Sequence, residues 1–102
     1  MLEIRPSCEH CDKDLPADSG EAMICSYECT FCSTCVDDIL ENVCPNCGGG
    51  FEKRPIRPET EWRTGVSRTH QPPKQSRTHK PLDPAVHKRL AREITAVPAV
   101  KR

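Results

Sequence analysis

Apolar residues are few along this chain, and the spacing between them changes period from one stretch to the next. In "AMICSY" (22–27) and "CTFC" (29–32) they form two short strand-like runs on either side of Tyr27-Glu28, which predicts a small β-hairpin. In "VDDILENV" (36–43) the period lengthens. Val36, Ile39, Leu40 and Val43 stand at i, i+3, i+4 and i+7, one face of a helix, with Asp37, Asp38 and Glu41 outside it. The acidic residues near the start of that helix suit its dipole, and the apolar face is expected to pack inward on the rest of the first fifty residues. From Phe51 onward prolines and charges recur too often for a packed element, so residues 51–82 read as a Pro-rich basic linker, extended or disordered.

The last periodic stretch is "DPAVHKRLAREITAV" (83–97). Asp83 can cap, Pro84 suits the first helical position, Val86, Leu90, Ile94 and Val97 form a stripe, and Pro98 stops the element. A helix this short is marginal alone in water, so it is expected to dock on the head, on a partner or on nucleic acid, and residues 98–102 read as a disordered end. The chain therefore divides near Gly48-Gly49-Gly50 into a head, residues 1–50, and a tail.

Composition sharpens that division. The hydrophobic share is 35%, below the roughly 45–50% of ordinary globular chains, and the head's apolar residues are too few to hold fifty residues together. The net charge of zero conceals a split: residues 1–50 hold 2 basic and 10 acidic side chains, net −8, and residues 51–102 hold 13 basic and 5 acidic, net +8. The tail is thus expected either to seek an acidic partner or to fold back on its own head. No basic N-terminal region precedes an apolar run, and no segment approaches the roughly 18 apolar residues of a membrane span, which points to a cytoplasmic protein without membrane contact.

All eight cysteines lie in the head, as Cys8-x2-Cys11, Cys25-x3-Cys29, Cys32-x2-Cys35 and Cys44-x2-Cys47. A reducing compartment disfavours disulfides, and a two-residue gap lets a tight turn aim two thiolates at one ion, so the set reads as ligands for two tetrahedral metal centres. In "CPNCGG" (44–49) Pro45 sets the turn and the glycines let backbone amides approach the sulfurs. Four soft sulfur ligands favour zinc or an iron–sulfur cluster. A structural zinc supplies about 10–16 kcal/mol of apparent binding free energy, enough to fold a head with so small a core. Spacing alone leaves two pairings open: a sequential one (8, 11, 25, 29 and 32, 35, 44, 47) and an interleaved one. Eight cysteines closing two centres leave no open coordination position, so no enzymatic metal and no small-molecule substrate are expected. His10, bracketed by Cys8 and Cys11, reads as a surface histidine.

The cysteine order resembles the RING finger, in which the first and third ligand pairs share one zinc and the second and fourth share another, with a helix after the sixth ligand. That resemblance implies two Zn2+ per chain, one held by Cys8, Cys11, Cys32 and Cys35 and one by Cys25, Cys29, Cys44 and Cys47, with Cys29 where RING fingers more often carry histidine. The whole then reads as a small metal-stabilised α+β zinc finger. It is a RING-like cross-brace with a short β-hairpin and one helix, followed by a largely disordered basic tail with one short helix. "MLEIRP", "CEHCDKDLP", "AMICSYECTFCSTC" and "CPNCGG" together resemble a bacterial family, domain of unknown function 1272, over roughly residues 1 to 57. A ligase RING usually carries an apolar residue after its first ligand and a basic one after its last. Here Glu9 and Gly48 stand there, while Pro45 and Ile39 do match, so the ligase surface is only half present, and the chain reads as a non-enzymatic zinc-binding module for protein–protein interaction.

Two alternatives accompany that reading. A nucleic-acid-associated protein would use its basic tail, because two zinc centres with four thiolates each would take the head to about −12 and repel phosphate. An iron–sulfur or thiol redox sensor would use the cysteines, although Cys29-x2-Cys32-x2-Cys35 followed by Cys44-Pro45 only partly echoes a ferredoxin run. "SRTH" occurs at 67–70 and again at 76–79, so Arg68, His70, Arg77 and His79 are candidate partner-binding residues. Lys88, Arg89 and Arg92 join them as a basic rim to the C-terminal helix, and Trp62 reads as an exposed loop aromatic.

Overall fold

The computed structural model describes all residues, 1–102. The head contains the hairpin: β1 (Ala22–Ile24) and β2 (Thr30–Cys32) pair antiparallel, Met23 opposite Phe31, and the chain reverses through Glu28 at a positive φ of 68°. β3 (Glu52–Lys53) adds to the other edge of β1, giving the order β2-β1-β3. The first helix begins earlier than its apolar period suggests: α1 (Ser33–Cys35) leaves β2 directly and widens into a π-helical segment, Val36–Leu40. Glu41 and Asn42, both left-handed, stop it, so Val43 follows the helix yet is still fully buried beside Leu40. Asn42 tolerates that backbone and uses its side chain, whose Oδ1 accepts the Phe51 N–H at 2.9 Å.

The core is as much sulfur as hydrocarbon. Of the 12 residues in the buried cluster, six are Cys8, Cys25, Cys29, Cys32, Cys35 and Cys44; Leu15, Ala22, Val36, Leu40 and the edge-to-face pair Phe31–Phe51 are the rest. Arg54, just past β3, is the largest fully buried side chain. Its guanidinium meets no carboxylate; it donates to the carbonyls of Arg5 (2.7 Å), Leu15 (3.1 Å) and Pro16 (2.9 Å), pinning the N-terminal segment to the sheet.

The tail corrects the expectation of disorder. It is extended through much of residues 54–83, and it is bonded to the head on both sides of a loop, residues 58–71, that closes on itself. The Lys74 N–H donates to the Glu3 carbonyl (2.9 Å), the Lys80 N–H to the Glu9 carbonyl (2.8 Å) and the Leu82 N–H to His10 Nδ1 (3.1 Å). Arg57 reaches the Leu2 and Gln71 carbonyls, and Arg77 reaches Asp12 and Asp14. Compositional disorder arguments count apolar burial. Here opposite charges and main-chain hydrogen bonds to the head do the ordering instead.

The C-terminal helix α2 (Pro84–Ile94) forms as its sequence predicts, with Asp83 Oδ1 accepting the Ala85 N–H at 2.9 Å. The face it buries is different. His87 and Ala91 turn inward, whereas Val86, Leu90 and Val97 of the expected stripe remain 53%, 40% and 40% exposed. Ala91 permits close approach to the head, and His87 Nε2 bonds the Leu40 carbonyl at 2.9 Å, which also accepts the Val43 N–H at 3.0 Å at the end of the π-helical segment. The end of the chain forms a 3-10 turn, Ala99–Lys101, and Arg102 donates to the Asn42 carbonyl at 2.7 Å.

Candidate metal centres

Four segments carry the cysteines, and two of them have one backbone design. In the first knuckle the Cys8 N–H donates to the Lys13 carbonyl and the Asp12 N–H to the Cys8 carbonyl, both at 2.9 Å. In the second the Cys44 N–H donates to the Gly49 carbonyl and the Gly48 N–H to the Cys44 carbonyl, both at 2.8 Å. Both turns need a left-handed residue straight after the second cysteine, and they use Asp12 (φ 62°) and Gly48 (φ 78°). Cys25 and Cys29 flank the hairpin turn, with the Cys25 N–H bonded to the Cys29 carbonyl at 3.2 Å. Cys32 ends β2 and Cys35 lies one turn into the following helix, so the strand-to-helix junction sets their separation.

The fold brings the sulfurs of Cys8, Cys11, Cys32 and Cys35 together, all within 4.8 Å of one another, with Cys11 and Cys32 3.8 Å apart. A second group gathers Cys25, Cys44 and Cys47 within the same limit. Cys29 stands outside that mutual limit, yet its thiol interacts with those of Cys25 and Cys44 and also accepts a hydrogen bond from Asn46 Nδ2 at 3.4 Å. Backbone amides face the sulfurs as well: Cys11 N–H to Cys8 (3.5 Å), Tyr27 N–H to Cys25 (3.3 Å) and Gly49 N–H to Cys47 (3.4 Å). Such donors stabilise thiolate. All eight thiols are free; Cys11 and Cys47 are the exposed members, one in each group.

Packed so closely, the thiols resist ionising together. Burial pushes Cys35 and Cys44 far up, neighbouring thiolates adding to the effect, and burial likewise raises Cys29 and Cys32. Cys11 shifts downward: a burial effect that raises it is outweighed by hydrogen bonds from the Lys13 backbone and from the thiols around it. A divalent cation among the sulfurs reverses this balance, because it favours the thiolate that burial opposes. Both groups can hold a metal ion on these grounds, and all-sulfur donors suit soft or borderline ions.

The candidate partner-binding residues do not form one surface. Arg68 pairs with Glu59 (3.5 Å) and His70 with Glu61, inside a tail loop. Arg77 bridges Asp12 (3.1 Å) and Asp14 (2.7 Å), while His79 Nε2 meets the His10 carbonyl (3.1 Å), both on the first knuckle. Lys88 borders a hollow with Asp37, Asp38 and Glu41, and Arg89 and Arg92 face solvent, as does Trp62. Three residues matter more than their sequence context suggests. Glu9 is buried, its Oε2 accepting from Arg5 (3.0 Å) and from the Thr30 N–H. His10 is half-buried under Leu82, and His87 anchors α2. The partners of these side chains are Arg5 of the head and main-chain groups, so the charge division between head and tail does not point to them.

These features define a class: a small cysteine-rich α+β protein with two clusters able to hold metal, each assembled from segments distant in the chain. Residues 1–57 match the sequence model of the family described as protein of unknown function DUF1272, and the chain belongs to that family. An uncharacterized protein of Rhizobium meliloti (strain 1021) is 60% identical over 58 residues, covering 57% of this chain and 69% of its own length. No solved structure gives a significant match. No helix is long and apolar enough to cross a membrane.

Proposed function

We propose that the head is a zinc-stabilised, non-enzymatic cytoplasmic module, a RING-like cross-brace holding two Zn2+, that presents its surface to another protein. One observation carries the reading: the sulfurs of Cys8, Cys11, Cys32 and Cys35 converge within 4.8 Å from segments some twenty residues apart. That interleaving sends the first and third pairs to one centre and leaves the second and fourth for the other, where Cys29 completes the set with Cys25, Cys44 and Cys47. Four thiolates saturate tetrahedral zinc, so neither centre keeps a position for a reacting water. Ubiquitin-ligase chemistry finds little support. Glu9 is buried and bonded where a ligase needs an exposed apolar residue, and Pro45 shares a hollow with Leu82, Val86 and Leu90 of this chain's own tail.

Elemental analysis with a visible spectrum of protein purified without added metal tests the proposal. Two zinc ions per chain and no colour are expected; iron with charge-transfer absorbance overturns zinc in favour of an iron–sulfur redox role. Nucleic-acid binding is the second reading, favoured by Lys88, Arg89, Arg92 and Lys101, none of which takes part in an ion pair. Salt-dependent retention of a DNA or RNA duplex, lost on neutralising those residues, is its test.

A further inference from the structure

Both copies of the duplicated Ser-Arg-Thr-His engage acidic residues, the first through its arginine and its histidine, the second through its arginine alone. Each copy grips a pair of carboxylates spaced i, i+2. Arg68 and His70 hold Glu59 and Glu61 within one loop, which also closes through the Arg68 N–H on the Pro58 carbonyl (2.8 Å). The second copy reaches back 65 residues to the first knuckle. There Arg77 Nε and Nη1 meet Asp12 and Asp14 at 3.1 and 2.7 Å, its Nη2 donates to the Asp12 carbonyl at 2.6 Å, and His79 meets the His10 carbonyl. The chain then runs on with the Lys80 N–H on the Glu9 carbonyl and the Leu82 N–H on His10 Nδ1. A forked side-chain anchor followed by main-chain bonds at alternate residues is how extended peptides are recognised.

We propose that the rim of the first knuckle, Asp12 and Asp14 together with the Glu9 and His10 carbonyls, is a binding site for an extended basic peptide carrying Arg-x-His. Residues 77–82 fill it in cis as a pseudo-ligand. The proposal rests on the head being an interaction module and names its partner: a segment of another protein with this chemistry. The knuckle lies within the family match and the pseudo-ligand outside it, so the receptor is the shared part. Arg77 remains 41% and Asp14 81% exposed, which makes the contact exchangeable. A cis segment acts at an effective concentration on the order of millimolar, so it masks the site against a free peptide.

The test uses the full-length chain and a fluorescent peptide of residues 74–83, KQSRTHKPLD. Arg77→Ala opens the site, and the variant is expected to bind the peptide at least about tenfold more tightly than the unaltered chain. Adding Asp14→Asn to Arg77→Ala abolishes binding, as does alanine at the peptide's arginine and histidine, and rising salt weakens it. His79→Ala, which leaves Arg77 in place, opens the site partly and gives an intermediate affinity. Metal per chain is measured on every variant, so loss of the centres is distinguished from loss of the peptide site. If Arg77→Ala or His79→Ala keeps its metal and ignores the peptide, or if the double variant with Asp14→Asn binds it as well as Arg77→Ala does, the proposal is overturned.

Discussion

Replacing Arg54 tests whether a buried cation without a carboxylate partner stabilises this head. Its guanidinium is 2% exposed, and burial alone pulls its pKa below the ordinary arginine value, yet the group stays charged at neutral pH. Arg54→Met keeps much of the aliphatic length and removes the three bonds to Arg5, Leu15 and Pro16. Pro16 retains a second donor, the Ser19 N–H at 2.8 Å, so two carbonyls are orphaned. At about 1–3 kcal/mol for each buried unsatisfied group, that loss is roughly 2–6 kcal/mol. Relief of the guanidinium's desolvation offsets part of it. The expected net destabilisation is about 2–3 kcal/mol. Arg54→Lys should cost nearly as much, because one ammonium cannot span three carbonyls fixed by separate segments. The measurement is denaturant unfolding of the metal-loaded proteins at one fixed free-metal concentration, since metal and folding are linked. A methionine variant as stable as the parent would falsify the argument, for it would show that burying the charge costs as much as its hydrogen bonds contribute.

Gly48→Ala places a side chain at φ 78° with its Cβ 3.4 Å from Ile94 Cδ1, and should destabilise by about 1–2 kcal/mol. Gly65→Ala has the same φ and nothing within 4 Å, so thermal melts of the pair separate backbone strain from the helix contact. His87→Ala removes the anchor of α2 on Leu40, whose carbonyl keeps the Val43 N–H, and should cost about 1 kcal/mol, read as faster proteolysis after Arg89 and Arg92. Metal binding must displace protons from thiols that burial raises, namely Cys29, Cys32, Cys35 and Cys44, so apparent affinity should fall as pH falls. A cobalt(II) titration whose midpoint does not move between pH 8 and about pH 6 contradicts that. Chelation should unfold the head, with loss of the amide dispersion that marks packed structure, because half of its buried cluster is cysteine.

Short-range chemistry was legible in the residues. The hairpin follows from two apolar runs around a turn, and the helix after Cys32 from an i, i+3, i+4 face whose members Val36 and Leu40 are buried. The knuckles follow from Cys-x2-Cys with a residue behind it that accepts a left-handed backbone. What the residues did not reveal depends on contacts between distant segments. Arg54 sits in "EKRPIRP", which reads as a charged linker, and nothing local marks it as the one fully buried guanidinium. The face that α2 buries is decided by the bond from His87 to the Leu40 carbonyl, whose second lone pair Val43 leaves open, and by the small size of Ala91, not by the larger apolar moment of Val86, Leu90 and Val97.

The tail's ordering has the same origin and explains why its composition misled. Its segments bury almost nothing apolar, yet each step along residues 74–87 ends on a fixed acceptor of the head: the Glu3, Asp12, Glu9 and Leu40 carbonyls and His10 Nδ1. Three of those acceptors, on Glu9, His10 and Asp12, sit in the first knuckle, the turn that carries Cys8 and Cys11. The tail can bind only where the knuckle already has its shape, and the knuckle has its shape where its sulfurs are gathered. Order in the second half of the chain is therefore conditional on the cysteine clusters of the first, so removing metal should release residues 74–82 to proteases even though they supply no ligand. The opposite result, a tail still protected after complete metal removal, would mean that the hydrogen bonds alone hold the knuckle and that the cysteines are not its organising centre.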